Sequence, residues 1–215
     1  MPEVLKIDPN NLDKYLLTKA VQIIEEGGVI AYPTETFYGL GADGRNENAI
    51  ERIFLIKGRD IKNPLSVIIG DRRDVGDLVE GIPEIALRLM ETFWPGALTL
   101  LFTASQNVSS RLTAGTGKIG VRVSSHPIAI ALAKALRHPI TATSANPSGA
   151  GECTSVHEVI KCIGDKIDAV IDGGQTPGGK GSTIIDVTTH PPVILRDGTI
   201  SGPLILRALA NRQWE

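Results

Sequence analysis

Apolar positions along the chain alternate between two spacings. Leu16, Leu17, Ala20, Val21, Ile23 and Ile24 recur at helical intervals, and Gly27-Gly28 predicts where that helix stops. Val29 to Tyr32 is a short apolar run ended by Pro33, the pattern of a buried strand. A second helix is expected from about Asn46 to Lys57, with Ala49, Ile50, Ile53 and Phe54 facing inward. Further strands are predicted at 65–69, 98–102, 119–123, 140–143, 169–171, 183–187 and 193–195. Helices are predicted at 84–93, from Pro127 onward and at 155–163; proline suits a first turn because it has no N–H to leave unpaired. Interspersed strands and helices predict an α/β fold, a twisted mixed β-sheet flanked by helices. Some strand pairs must be antiparallel, since the closing strands leave no room for crossover helices. No repeat or linker interrupts the pattern. One domain is expected over 1–215, with its core at about 12–202 and a short tail at 203–215.

Composition narrows the functional classes. Apolar residues make up 42% of the 215, enough for a large core, while aromatics make up only 4% and glycine is plentiful at 23. A formal charge of −2 excludes a general nucleic-acid coat, which would be basic throughout. The two cysteines, Cys153 and Cys162, form neither a CxxC pair nor a dense framework and are expected to be reduced thiols. No apolar run reaches the length of a membrane span, and the amino terminus has no charged segment followed by an apolar one, so a soluble, cytoplasmic protein is expected.

Four segments carry candidate chemistry. Pro33-Thr34-Glu35-Thr36-Phe37-Tyr38-Gly39-Leu40-Gly41 follows a strand, where ligands of open α/β sheets bind, although a capped tight turn explains it too. Lys57-Gly58-Arg59 precedes Asn63-Pro64-Leu65, in a stretch from Arg45 to Arg73 with seven basic residues against four acidic ones. Lys as a point charge and Arg as a fork suit a polyphosphate, and a favourable helix dipole is the plainer account. Thr141 to Gly149 offers small hydroxyls and Asn146 on leaving a strand. Gly173 to Ser182 nearly spells a P-loop, but Gly181 follows Lys180 and the alternation of 183–187 is that of a strand. The helix amino terminus a P-loop needs is missing, and that reading is rejected. His126, His138, His157 and His190 have no metal-ligand spacing, and no Gly-x-Ser-x-Gly elbow occurs.

Taken in order, these segments resemble the YrdC-type threonylcarbamoyl-AMP synthase family. The matching pieces are Pro33-Thr34-Glu35-Thr36-x-Tyr38-Gly39-Leu40-Gly41, Lys57-Gly58-Arg59, Asn63-Pro64-Leu65, Trp94-Pro95-Gly96-x-Leu98-Thr99, Val121-Arg122-Val123, Thr143-Ser144-Ala145-Asn146, Gly181-Ser182-Thr183 and Leu195-Arg196-x-Gly198. The resemblance implies a nucleotidyltransferase that joins L-threonine, bicarbonate or CO2, and ATP into threonylcarbamoyl-AMP and pyrophosphate, for tRNA threonylcarbamoyladenosine modification. It implies a catalytic tetrad of Lys57, Arg59, Ser144 and Asn146. ATP would be held by Arg59, Asn63, Lys118, Ser144 and Arg196, and threonine by Thr36, Arg122, Ala142 and Ser182. No protein metal site is implied, with Mg2+ arriving on ATP. Implied partners are a downstream threonylcarbamoyl-transferase and a weak tRNA contact, with no membrane. The chain departs from the family pattern at Ile68, where many members carry His, at Glu152, where a small hydroxyl is usual, and at Asp60, where Pro is common. Its end near Glu215 resembles the short form of the family.

Two rival readings remain at this level. An RNA-binding module would turn the basic residues around Lys57 and Arg59 toward backbone phosphate, but overall acidity and few aromatics weigh against it. A paralogue with another carbamoyl-adenylate substrate is the second; the intact tetrad speaks for nucleotide chemistry and leaves the acyl group open.

Overall fold

The computed structural model describes residues 1–58 and 63–210, with nothing said of the side chain of Ala210. Helices and strands alternate as the pattern predicts, but the strands divide between two mixed sheets rather than forming one. The first sheet has five strands in the order β1 (Glu3–Lys6), β9 (Ala169–Asp172), β2 (Ile30–Pro33), β3 (Tyr38–Gly41) and β8 (Thr143–Ser144). The second has six, in the order β11 (Val193–Arg196), β10 (Thr183–Asp186), β5 (Leu98–Thr103), β6 (Lys118–Arg122), β4 (Ser66–Ile68) and β7 (Ile140–Thr141). Parallel and antiparallel neighbours occur in both: β2 lies antiparallel to β3 and parallel to β9, and β6 antiparallel to β5 and parallel to β4.

The segment expected as one strand at 140–143 is the hinge between the sheets. Ile140–Thr141 pairs with β4, Thr143–Ser144 pairs with β3, and Ala142 between them donates its N–H to the Ser66 carbonyl at 2.8 Å. Thr141 ties the crossing to β3: its Oγ1 donates to the Leu40 carbonyl and accepts from the Ala42 N–H. Strand β1 precedes residue 12, and α6 (Gly202–Ala210) begins at the last residue of the expected core and runs through the expected tail, packed against α3 (Glu84–Phe93).

Strand alternation sorts the core into two clusters. Ile30 and Tyr32 of β2, with Ala169 and Ile171 of β9, pack with α1 (Lys14–Glu25) and α4 (Pro127–Leu136); Ala31 and Val170 point the other way into the larger cluster. Both faces of these strands are therefore buried, which is why they read as continuous apolar runs. Each fully buried Ile or Leu contributes about 1.5–3 kcal/mol. Caps set the helix ends that matter for the site. Asn46 Oδ1 accepts from the Asn48 and Ala49 amides at the start of α2 (Glu47–Lys57). Gly58 ends α2 in the left-handed region at φ 56°, which glycine adopts without strain. Ser155 and Glu158 form a capping box on α5 (Val156–Ile163).

Candidate active site

A cleft of about 580 Å3 opens where the two sheets meet. One wall comes from the β2–β3 turn, the end of α2, β8 and the loop after it; the other comes from Ser66, Arg122, Ser182, Ile184 and Arg196. Lys57, the last residue of α2, is only 5% exposed. Its Nζ donates to the Ser144 carbonyl at 2.7 Å, to Ser144 Oγ at 3.2 Å and to Asn146 Oδ1 at 3.0 Å. The amine thus bridges from the end of α2 to β8 and the loop after it. Asn146 Nδ2 donates to the Ala150 carbonyl at 2.6 Å, and the Ser148 N–H donates to the Lys57 carbonyl at 2.8 Å, so the 146–150 loop is bound to α2. Ser144 Oγ accepts from Lys57, which leaves its own proton for another acceptor.

The opposite wall holds two more cations. The Arg122 side chain is 7% exposed and pairs through Nη1 with Glu35 Oε1 at 2.8 Å. Arg196 forks onto Ser182, donating from Nε to the carbonyl and from Nη2 to Oγ, both at 2.9 Å. Ser182 Oγ also shares a hydrogen bond with Thr99 Oγ1 at 2.9 Å. Gly198 permits this packing: a Cβ there would fall 2.3 Å from the Gly181 carbonyl oxygen and 2.5 Å from the Thr183 nitrogen. Among the described lining residues, three cations face one carboxylate, Glu152, and hydroxyls from Thr34, Thr36, Tyr38, Ser66, Thr143, Ser144, Ser148 and Ser182 surround them. Such a cleft suits a multiply anionic ligand with a polar organic part.

Burial shifts several titratable groups in and around the cleft toward their uncharged forms. Burial pushes the Tyr38 phenol up to about 12, and its hydroxyl donates to the Gly174 carbonyl at 2.6 Å. Burial and the neighbouring Cys162 thiol push Cys153 up to about 12, so it is no ready nucleophile. Burial also lowers His126, against the opposing charge of Glu35.

The structure therefore brings Lys57, Ser144 and Asn146 together, and lines the same cleft with Thr36, Arg122, Ala142, Ser182 and Arg196. Arg59 lies outside the described residues. Asn63 is exposed and lies outside the lining. Lys118 also lies outside it, with its Nζ 2.8 Å from Asp186 Oδ2. Burial works to raise the Asp186 carboxyl, but hydrogen bonds from Lys118 and Thr188 outweigh it and hold it below the usual range. Ile68 is buried with the α4 residues and does not reach the cleft. Sequence reasoning did not assign roles to Glu35, Thr99 and Ser124; the first two stand inside recognised motifs, and Ser124 directly follows one. Among the described residues no group of three or more His, Cys, Asp or Glu is placed to hold a metal ion, and no helix is long and apolar enough to cross a membrane.

Comparison with known proteins gives the site a context. The Sua5/YciO/YrdC family model, described as "Telomere recombination", matches residues 22–198. A threonylcarbamoyl-AMP synthase of Pyrococcus abyssi is 43% identical over 187 residues, covering 87% of this chain and 55% of the relative. The chain thus spans about half the length of that curated relative. The crystal structure of P. abyssi Sua5 complexed with L-threonine superposes with a TM-score of 0.93 at 40% identity, covering 96% of this chain and 61% of that one. E. coli YciO superposes at a TM-score of 0.86 and 33% identity, covering 93% of this chain and 97% of that one.

Proposed function

Since this chain belongs to the Sua5/YciO/YrdC family, we propose that its cleft makes an acyl-adenylate, threonylcarbamoyl-AMP, from L-threonine, bicarbonate or CO2, and ATP. The observation that carries this reading is the Lys57–Ser144–Asn146 cluster standing across one cleft from Arg122 and Ser182. Magnesium would come with ATP on its phosphates, where it would offset their charge, since the described lining residues offer a single carboxylate, Glu152. Its phosphates lie against Lys57, Ser144 and Arg196, and Ser144 donates its remaining proton to a phosphoryl oxygen. Arg122 takes the threonine carboxylate, and Thr36, Ala142 and Ser182 enclose the rest of the amino acid.

Threonine's amine adds to CO2 and loses a proton, giving an anionic carbamate. A carbamate oxygen then attacks the α-phosphorus; the new C–O–P linkage forms as the bond from that phosphorus to the bridging oxygen breaks. Pyrophosphate leaves with the electron pair. The nucleophile is already anionic, so the protein supplies position and a fixed positive field, not an acid/base pair. The reactive adenylate requires an acceptor, and a threonylcarbamoyl-transferase acting on tRNA is the proposed consumer. The test is pyrophosphate release and adenylate formation with threonine, bicarbonate, magnesium and ATP. Turnover that is unchanged when threonine is omitted would remove the assignment.

A further inference from the structure

Glu35 sits on the turn joining β2 and β3 of the first sheet, yet its partners are Arg122 at the end of β6 in the second sheet and Ser124 just beyond it. The turn between β2 and β3 is closed locally, with Thr34 donating from its N–H (3.2 Å) and its Oγ1 (2.7 Å) to the Phe37 carbonyl, and the Thr36 N–H donating to Thr34 Oγ1 at 3.2 Å. That closure points Glu35 across the gap. Its Oε1 accepts from Arg122 Nη1 at 2.8 Å, and its Oε2 accepts from Ser124 Oγ. Ser124 is fully buried and in turn accepts from the His126 N–H at 3.2 Å. Glu35 and Arg122 are 15% and 7% exposed, so the pair is largely shielded from water, and neither charge is screened as a surface pair would be. Arg122 lines the cleft and Glu35 does not.

We infer that Glu35 is a positioning residue for substrate: it holds Arg122 by one amino group so that the rest of the guanidinium edge is presented, already oriented, to the carboxylate of the amino acid. The inference rests on the proposed function above. A guanidinium has five N–H groups in a rigid plane, so anchoring one corner fixes where the others point. Ser124 keeps the anchor itself from swinging, as outer partners do for ligand-binding groups generally.

Two simpler roles give different outcomes. If Glu35 only neutralised Arg122, removing its charge would strengthen the pull on a substrate carboxylate. If it only fastened the sheets together, removing it would lower the melting temperature and leave ligand affinity alone. The experiment is calorimetric binding of L-threonine, and of threoninol, which lacks the carboxylate, to the parent, Glu35→Gln and Ser124→Ala, with ATP binding and melting curves alongside. Positioning predicts that Glu35→Gln weakens threonine by on the order of tenfold, Ser124→Ala by less, while threoninol and ATP affinities stay within about twofold of the parent. Should Glu35→Gln fail to fold, Ser124→Ala tests the same selectivity with a smaller expected loss, because it leaves the Glu35 charge in place and loosens its anchor. Unchanged or tighter threonine binding in the variants overturns the inference and leaves the function standing. A parent that binds ATP but not threonine overturns the substrate assignment and the inference together.

Discussion

Replacing Lys57 by Met tests the centre of the site, because the two side chains have similar length and the substitution removes only the charge and the donors. In the parent, the ammonium serves the Ser144 carbonyl, Ser144 Oγ and Asn146 Oδ1 at 2.7, 3.2 and 3.0 Å. A hydrogen bond to a charged group contributes about 1.5–3 kcal/mol, and buried acceptors left without donors cost about 1–3 kcal/mol. Against this, the variant no longer has to bury an ammonium, a desolvation cost of several kcal/mol. The two effects offset in part, so a net destabilisation of about 1–3 kcal/mol is expected. For a chain of this size that corresponds to a melting temperature lower by about 2–12 °C.

The effect on turnover is expected to be much larger. On the proposed function, Lys57 would supply fixed positive charge beside the phosphates and orient the Ser144 hydroxyl toward them. Removing one such electrostatic contact costs on the order of a hundred- to a thousandfold in rate. The assay is steady-state pyrophosphate release with a coupled phosphatase, with adenylate followed by chromatography, 10 °C or more below the variant's melting point. Lys57→Arg keeps the charge but brings a planar fork into a space shaped for a compact ammonium, so it should recover only part of the rate. If Lys57→Met melts normally and turns over within about threefold of the parent, the cluster is structural and the phosphate assignment is wrong.

Ser182→Ala should weaken threonine by about 1 kcal/mol, more than it weakens ATP, since its hydroxyl is shared with Thr99 Oγ1 and Arg196 Nη2 at 2.9 Å each; equal losses for both ligands in calorimetry would contradict this. Gly198→Ala should lower stability by about 1–3 kcal/mol in urea titration, because its Cβ meets backbone of 181–183 that cannot yield as a side chain tip would, and a parent-like midpoint would refute the crowding. Tyr32 and Tyr38 should stay protonated at pH 11 while the fold persists, since burial raises Tyr32 further than Tyr38, itself pushed up to about 12. Both groups bind their protons more tightly when folded, so they favour the fold fully below about pH 10 and progressively less as pH rises above it. A 295 nm absorbance step for two tyrosines ahead of unfolding would contradict that.

The elements were most legible where one physical cause dominates. The helices expected from about Asn46 and from residue 155 begin there, and in both the side chain of that first residue caps the helix. Strand β3 was hidden because Tyr-Gly-Leu-Gly reads as a turn, glycine being a poor strand former. Its glycines are there for Tyr32 on the neighbouring strand: a Cβ on Gly41 would sit 2.6 Å from Tyr32 Cε1, and one on Gly39 3.1 Å from Tyr32 Cζ. Strand β1 was hidden for another reason, with only Leu5 buried among four residues. The division at Ala142 has no local signal, since both halves of 140–144 have strand-like composition and only their distant partners, β4 and β3, separate them. The site shows the same limit. Lys57 could be picked out as a cation at a helix end, but that it reaches Ser144 and Asn146, 87 and 89 residues away, is a product of the fold. Arg122 was assigned by resemblance, and its pairing with Glu35 follows no sequence spacing.

One arrangement recurs at the three cations among the described residues of the cleft. Lys57 reaches from α2 to β8 and the loop after it, Arg122 from β6 to the β2–β3 turn, and Arg196 from β11 to the start of β10. Each charge is thus held by an element other than its own, and Arg122 is held from the other sheet. A cation on an exposed stem must lose conformational freedom when it meets a phosphate or carboxylate, and that loss opposes binding. Here the loss has already been incurred on folding, so on the proposed function the field that would meet the developing charge needs no rearrangement when the reaction occurs. The same coupling makes the site sensitive to how the sheets sit together. A substitution at Ile140 or Thr141, buried in the crossing between the sheets and outside the cleft lining, can disturb Arg122 and Lys57 at once without contacting substrate. For a reaction that depends on placing an anionic oxygen opposite a phosphorus, with no proton relay to compensate, such displacement falls directly on the rate.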